Sequence, residues 1–168
     1  MSNERKYILS KEIAGKKLRR MALELVERNY DEPLLVLVGI KDNGIVIADK
    51  LARYLKEIFK GEVIVTALTI NKKHPGEIMV EPAIDFNKKV VVLIDDVANS
   101  GSTMLYSLQP LLKTYPKKIQ TAALVERTHK SYPIALDYVG LSISTTLDEH
   151  IFVEVTGEEV QGAWMEVS

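Results

Sequence analysis

Five apolar residues in a row, Val90-Val91-Val92-Leu93-Ile94, run without a break into two carboxylates, Asp95-Asp96. A run this short, this apolar and this branched is a strand covered on both faces, so layers must lie above and below it. The chain uses the device twice: Leu34-Leu35-Val36-Leu37-Val38 leads into the polar, glycine-bounded loop 39–44. Helical stripes separate the strands. Leu18, Met21, Ala22, Leu25 and Val26 fall at helical spacing within 10–29, where Ser10 can cap the helix. Ile47, Ala48, Leu51, Ala52, Leu55, Ile58 and Phe59 form a second stripe that Gly61 can end. Met104, Leu105, Leu108, Leu111 and Leu112 mark a third helix, which Pro110 should kink or shorten. Further strands are expected at 62–70, 119–125, 138–140 and 151–155. Strand and helix alternate, which predicts an α/β fold, a mainly parallel twisted sheet flanked by helices.

The 168 residues suit one domain, 1–168. At 46% hydrophobic and 27% charged residues the chain can build a core and stay in solution. A formal net charge of -1 supplies no global pull toward nucleic acid or acidic membrane, and leaves a local basic patch open. The basic face of the first helix, Lys16, Lys17, Arg19 and Arg20, reads as solvated. With no cysteine, disulfides, thiolate metal sites and a cysteine nucleophile are excluded. His74, His129 and His150 lie far apart and lack zinc-ligand spacing. No apolar run approaches the ~18 residues that span a bilayer, and the charged start has no signal-type apolar core. No membrane association and a cytoplasmic location are the simplest expectations. Residues 71–89 show no clear period and hold Pro75, Gly76 and Pro82. A stretch this long is expected to act as a lid, about 70–88; a two-stranded excursion is the alternative.

Ligands of such sheets bind at the carboxyl ends of the strands. Segments 39–44, 95–103 and 126–130 all sit at such ends. The string Asp95-Asp96-Val97-Ala98-Asn99-Ser100-Gly101-Ser102-Thr103 is the most specific of them. Backbone N–H groups at a helix start, with the helix dipole, favour a phosphate. Gly101 permits close approach or positive φ. Ser100, Ser102 and Thr103 add hydroxyl donors. The paired carboxylates suit ribose hydroxyls or a hydrated Mg²⁺.

This string resembles the phosphoribosyl pyrophosphate (PRPP) motif of type I phosphoribosyltransferases, an apolar strand, two acidic residues and then Thr/Ser-Gly-x-Thr/Ser. The resemblance implies that residues 98–103 (Ala98, Asn99, Ser100, Gly101, Ser102, Thr103) hold the 5′-phosphate. It places Asp95 and Asp96 against the ribose hydroxyls and a metal, either directly or through water. Gly39, Ile40, Lys41, Asp42, Asn43 and Gly44 resemble the family's pyrophosphate loop. A non-proline cis peptide is expected there before Lys41, with Lys41 serving catalysis beside Asp95 and Asp96. Residues 124–130, Tyr132-Pro133-Ile134 and Asp137-Tyr138-Val139-Gly140 resemble the group of bifunctional pyrimidine-operon regulators and uracil phosphoribosyltransferases. That likeness runs from about Tyr7 to Val155. By it, Tyr138, Val139, Gly140 and Arg127 would lie beside the base. Ser102 stands where that group usually has arginine, Asn99 where it has a larger residue, and 69–86 lacks its tyrosine-arginine pair.

The implied reaction displaces pyrophosphate from the anomeric carbon of PRPP by a base nitrogen, with Mg²⁺ as cofactor and a nucleoside monophosphate as product. Uracil is the expected base, with hypoxanthine or guanine the alternative. A nucleotide-sensing RNA-binding regulator with little catalysis is a third reading, to which Arg127, His129 and Lys130 could contribute. A response-regulator-like protein, in which an acidic pair also ends a strand, would lack the Ser-Gly-x-Thr helix opening. The resemblance implies at least a homodimer. Trp164 is expected to pack near the C-terminus.

Overall fold

Strands that are apolar on both faces need cover on both, and the chain provides it with α1 and α2 on one face and mid-chain residues on the other. The structure is a computed structural model that describes residues 4–71 and 77–167. Its elements are β1 (Lys6–Ser10), α1 (Lys11–Asn29), β2 (Leu34–Ile40), α2 (Asn43–Ile58), β3 (Glu62–Thr69), β4 (Met79–Glu81), β5 (Val90–Ala98), α3 (Ser102–Ser107), α4 (Gln109–Leu112), β6 (Lys118–Arg127), β7 (Tyr138–Ile143), β8 (Glu149–Thr156) and β9 (Glu159–Val167). Six strands form one sheet in the order β4-β3-β2-β5-β6-β7, parallel throughout except for β4. The expected α/β class and twisted parallel core are therefore present.

Val91, Val92, Leu93 and Ile94 are fully buried, each contributing roughly 1.5–3 kcal/mol by leaving water. Their alternate side chains enter two cores. One lies under α1 and α2, the other under α3, with Phe86 and Leu111. Ser10 caps α1 as expected, its hydroxyl accepting the Ile13 N–H at 3.2 Å. Pro110 acts as expected too: the third helix breaks at Leu108 into α3 and α4. Gly61 does not end α2. The helix stops at Ile58, and the N–H of Phe59 closes the last turn on the Leu55 carbonyl.

β1 and β9 were not anticipated from sequence. With β8 they form a separate antiparallel sheet, β1-β9-β8, here called the hood. Trp164 lies on its outer face, stacked on Phe152 and covered by the Arg5 guanidinium. Part of the expected lid, 72–76, lies outside the described residues. The part that is described contains one short strand, β4. β4 pairs back on β3, the Thr66 hydroxyl donates to the Pro82 carbonyl at 2.6 Å, and Phe86 is buried.

Candidate active site

Strand order reverses between β2 and β5. The chain leaves β2 toward β3 on one side, and β5 and β6 build outward on the other. A crevice opens at the carboxyl ends of such a pair. Loop 39–44 leaves one strand and 95–103 the other, so both face it.

At β5 the strand continues through the acidic pair to Ala98. Asp95 is almost wholly buried, and its Oδ1 accepts the Asp96 N–H at 2.8 Å. Asp96 is half-buried, with Oδ1 accepting the Val97 N–H at 2.8 Å and Oδ2 accepting the Asn43 amide at 3.1 Å. The two carboxylates are therefore unequal, and Asp96 is the more accessible. Beyond them Gly101 takes φ 86°, a left-handed conformation that suits glycine. A Cβ there would also meet Ile134 Cγ2 at 2.6 Å. The Ser100 carbonyl accepts the N–H groups of Ser131 and Tyr132, at 3.0 and 3.1 Å. Across a trans peptide the next N–H points the opposite way, so Gly101 presents its N–H away from that segment. Ser100 Oγ accepts the Ser102 N–H at 3.2 Å. These contacts surround a cavity of about 120 Å³ lined by Asp95, Val97, Ala98, Asn99, Ser100, Gly101, Thr103 and Met104. The helix behind it has six residues, so local N–H groups rather than a long macrodipole give the pocket its polarity.

At β2 the cis peptide is present one bond later than expected, at Lys41-Asp42. The reason is register. The Lys41 N–H still donates to the Leu68 carbonyl at 2.9 Å, so the ladder with β3 holds the bond before it. The Lys41 side chain is exposed at the crevice edge.

Three of the four expected base-contacting residues, Tyr138, Val139 and Gly140, lie away from these strand ends. Tyr138 is fully buried in the core under α1, where Asn29 Nδ2 donates to its hydroxyl at 3.3 Å. Burial pushes this phenol above the usual tyrosine range, with the Asn29 hydrogen bond opposing. The Val139 and Gly140 carbonyls both accept from Arg20 of α1, at 3.0 and 2.9 Å. A Cβ at Gly140 would meet the Leu124 carbonyl oxygen at 2.4 Å. These three residues pair level with the middle of β6, not with its carboxyl end. The resemblance sets them beside the base, whereas the strand they begin runs on to Ile143.

Arg127, the fourth, is at the right end. Its guanidinium donates to the Thr146 carbonyl at 3.0 Å, and the Thr128 N–H donates to the Ile143 carbonyl at 3.1 Å. The two bonds draw the β7–β8 loop against the end of β6. A cavity of about 520 Å³ results, lined by Asn99, Ser100, Arg127, His129, Lys130, Ser131, Thr145, Thr146 and Leu147. Asn99 and Ser100 line both cavities. Lys130 pairs with Glu126 at 3.1 Å beside Gly101, with both side chains largely buried. Sequence reasoning missed the 145–147 loop, the bond from the Asn43 side chain to Asp96 and the bonds from Arg20 to β7. No local pattern marks them, since each acts on a segment at least 19 residues away.

A family model described as phosphoribosyl transferase domain matches residues 4–161. The chain belongs to the phosphoribosyltransferase family. Its reaction class is thus phosphoribosyl transfer, a glycosyl transfer. A protein of Ligilactobacillus salivarius (strain UCC118) named Bifunctional protein PyrR is 38% identical over 157 residues, covering 86% of this chain and 87% of its own. One of the same name from Bacillus mycoides (strain KBAB4) is 36% identical over 170 residues, 94% of each chain. Among solved structures, a hypoxanthine-guanine phosphoribosyltransferase of Bacillus anthracis superposes with TM-score 0.74 at 18% identity over 100% of both chains. The hypoxanthine phosphoribosyltransferase of Trypanosoma cruzi gives 0.74 at 16% identity over 83% of this chain and 82% of that one. These likenesses to phosphoribosyltransferase structures bear on the fold.

Proposed function

We propose that this phosphoribosyltransferase moves 5-phosphoribosyl from PRPP to uracil, giving UMP and pyrophosphate, and that it also acts in pyrimidine-operon regulation. The observation that carries the transfer reading is the shared wall. Asn99 and Ser100 separate a small polar cavity, suited to the 5′-phosphate, from a larger one suited to a base. A donor and an acceptor seated in them would be neighbours, and holding two reactants together accounts for much of such a catalyst's power. The protein supplies no nucleophile. Loop N–H groups orient the phosphate, Asp96 takes the ribose hydroxyls, and Lys41 with loop 39–44 meets the pyrophosphate.

Uracil and the regulatory role are supported by the two relatives named Bifunctional protein PyrR and by the resemblance of residues 124–140. A purine acceptor is the second reading, favoured by the room in the larger cavity, about 520 Å³. RNA is a further proposed partner, with Arg127, His129 and Lys130 at the rim of that cavity.

Mg²⁺ fits the donor set. Asp96 offers hard carboxylate oxygen, and no cluster of three or more metal-binding side chains occurs among the described residues. Such an ion would be carried mainly by substrate phosphates and water, with Asp96 and Asp95 on the protein side. When bound it would neutralise the departing pyrophosphate. A homodimer or larger homo-oligomer is proposed as well, for which Leu112 and Tyr115, 65% and 86% exposed, are apolar surface to cover.

The test is product formation from PRPP with uracil, hypoxanthine, guanine, adenine and xanthine in turn. UMP formation at the highest kcat/KM is expected. Preference for a purine would replace uracil in this proposal, and no product with any base would refute it.

A further inference from the structure

Resting on that reading, we propose that Asn43 is a positioning residue that fixes Asp96 against the hood, so that donor affinity depends on hood placement. Asn43 is the first residue of α2. Its amide nitrogen donates to Asp96 Oδ2 at 3.1 Å and to the Val153 carbonyl at 3.1 Å. An asparagine amide has two hydrogens, and both are used. The other carboxylate oxygen of Asp96 accepts the Val97 N–H at 2.8 Å. The carboxylate is therefore oriented from two sides by neutral donors and keeps its remaining lone pairs for ligand.

The geometry is a three-way tie. α2 begins at the switch point, Asp96 lies within β5 between the apolar run 90–94 and Val97, and Val153 belongs to β8 of the hood, paired with Ala163 of β9. One side chain thus joins the parallel sheet's acidic pair to the antiparallel sheet beside it. The resemblance assigns residue 43 to a loop whose backbone N–H groups face pyrophosphate, and its side-chain amide serves Asp96 and the hood. A shift of the hood would pull on the group that holds the donor ribose.

The experiment is steady-state kinetics with PRPP and the preferred base for wild type, Asn43→Ala, Asn43→Ser and Asn43→Asp, with thermal melting of each protein. Loss of a hydrogen bond to a charged group predicts that Asn43→Ala raises KM for PRPP about tenfold, with KM for the base within about twofold. Asn43→Ser keeps one donor and should fall between. Asn43→Asp has the same shape but sets a like charge against Asp96, so PRPP affinity should fall about 100-fold. An unchanged KM for PRPP in Asn43→Ala contradicts the proposal. So does an equal rise in both KM values that follows the loss of melting temperature across all three variants, since that is a structural role alone. If wild type neither binds PRPP nor turns over, the functional reading falls and this inference with it. If wild type is active and the variants match it, only the role of Asn43 falls.

Discussion

The two cavities at the strand ends are built in different ways. Every residue lining the small one lies between Asp95 and Met104, a single strand, bend and helix start. The large one takes its walls from three stretches, 99–100, 127–131 and 145–147. The first can be specified by local rules, because a contiguous segment carries its own φ preferences and hydrogen-bond donors. The second exists only after β5, β6 and β7 have paired, because Arg127 has to find the Thr146 carbonyl across a loop. On the proposed function, donor recognition is tied to a motif, while acceptor choice depends on segments that can vary independently of it.

Four substitutions probe this division. The largest effect is expected from Asp96→Asn, which removes the more accessible charge of the acidic pair that precedes the small cavity. kcat/KM for PRPP should fall about 100-fold or more, read by initial rates. Near-normal transfer would mean that the acidic pair has no part in donor recognition. Gly101→Val comes next. It forces a branched residue into φ 86° against Ile134, so stability should drop by about 1–3 kcal/mol in urea unfolding and PRPP binding should weaken with it. A variant as stable as wild type would contradict the bend described here. Arg127→Ala releases the β7–β8 loop. Isothermal titration should then show base affinity in the presence of PRPP reduced about tenfold while PRPP affinity holds. Equal losses for both ligands would erase the distinction between the cavities.

Tyr138→Phe is the smallest. It removes one buried hydroxyl with a partner, costing about 0.5–1.5 kcal/mol, and should leave KM for the base unchanged. The same variant carries a pH signature. Burial raises the phenol's pKa above the ordinary value of about 10, so the folded state holds its proton more tightly than the unfolded chain. The stability linked to it is complete below pH 10 and is lost as pH rises through the folded value. Melting curves from pH 9 to 11 should fall less steeply for Tyr138→Phe. A changed KM for the base would return Tyr138 to the acceptor site.

What could be read in advance divides along the same line. The apolar strand leading into Asp95-Asp96, the bend at Gly101 and the break at Pro110 each follow from neighbours in the chain and are legible, although the strand runs on to Ala98. The hood is not legible. β1 is short, and its partner β9 lies more than 140 residues away. β9 also contains Gly162, held at φ 149° where a Cβ would meet the Leu9 carbonyl oxygen at 2.5 Å. Its need for glycine comes from the pairing and not from any local turn. The cis bond was misplaced by one residue because ladder register, set by β3, decides where β2 ends. The resemblance of Asp137-Tyr138-Val139-Gly140 sets Tyr138 beside the base, whereas packing under α1, with Asn29 and Arg28 over it, makes it core.

A crystal structure of this chain with UMP tests the paired cavities most directly. The account predicts the phosphate within 98–103, touching the Gly101 and Thr103 segment, the ribose hydroxyls toward Asp96, and the pyrimidine ring between Asn99 and the 145–147 loop. A phosphate bound outside that bend, or a ring lying against Tyr138 and Val139, would contradict it.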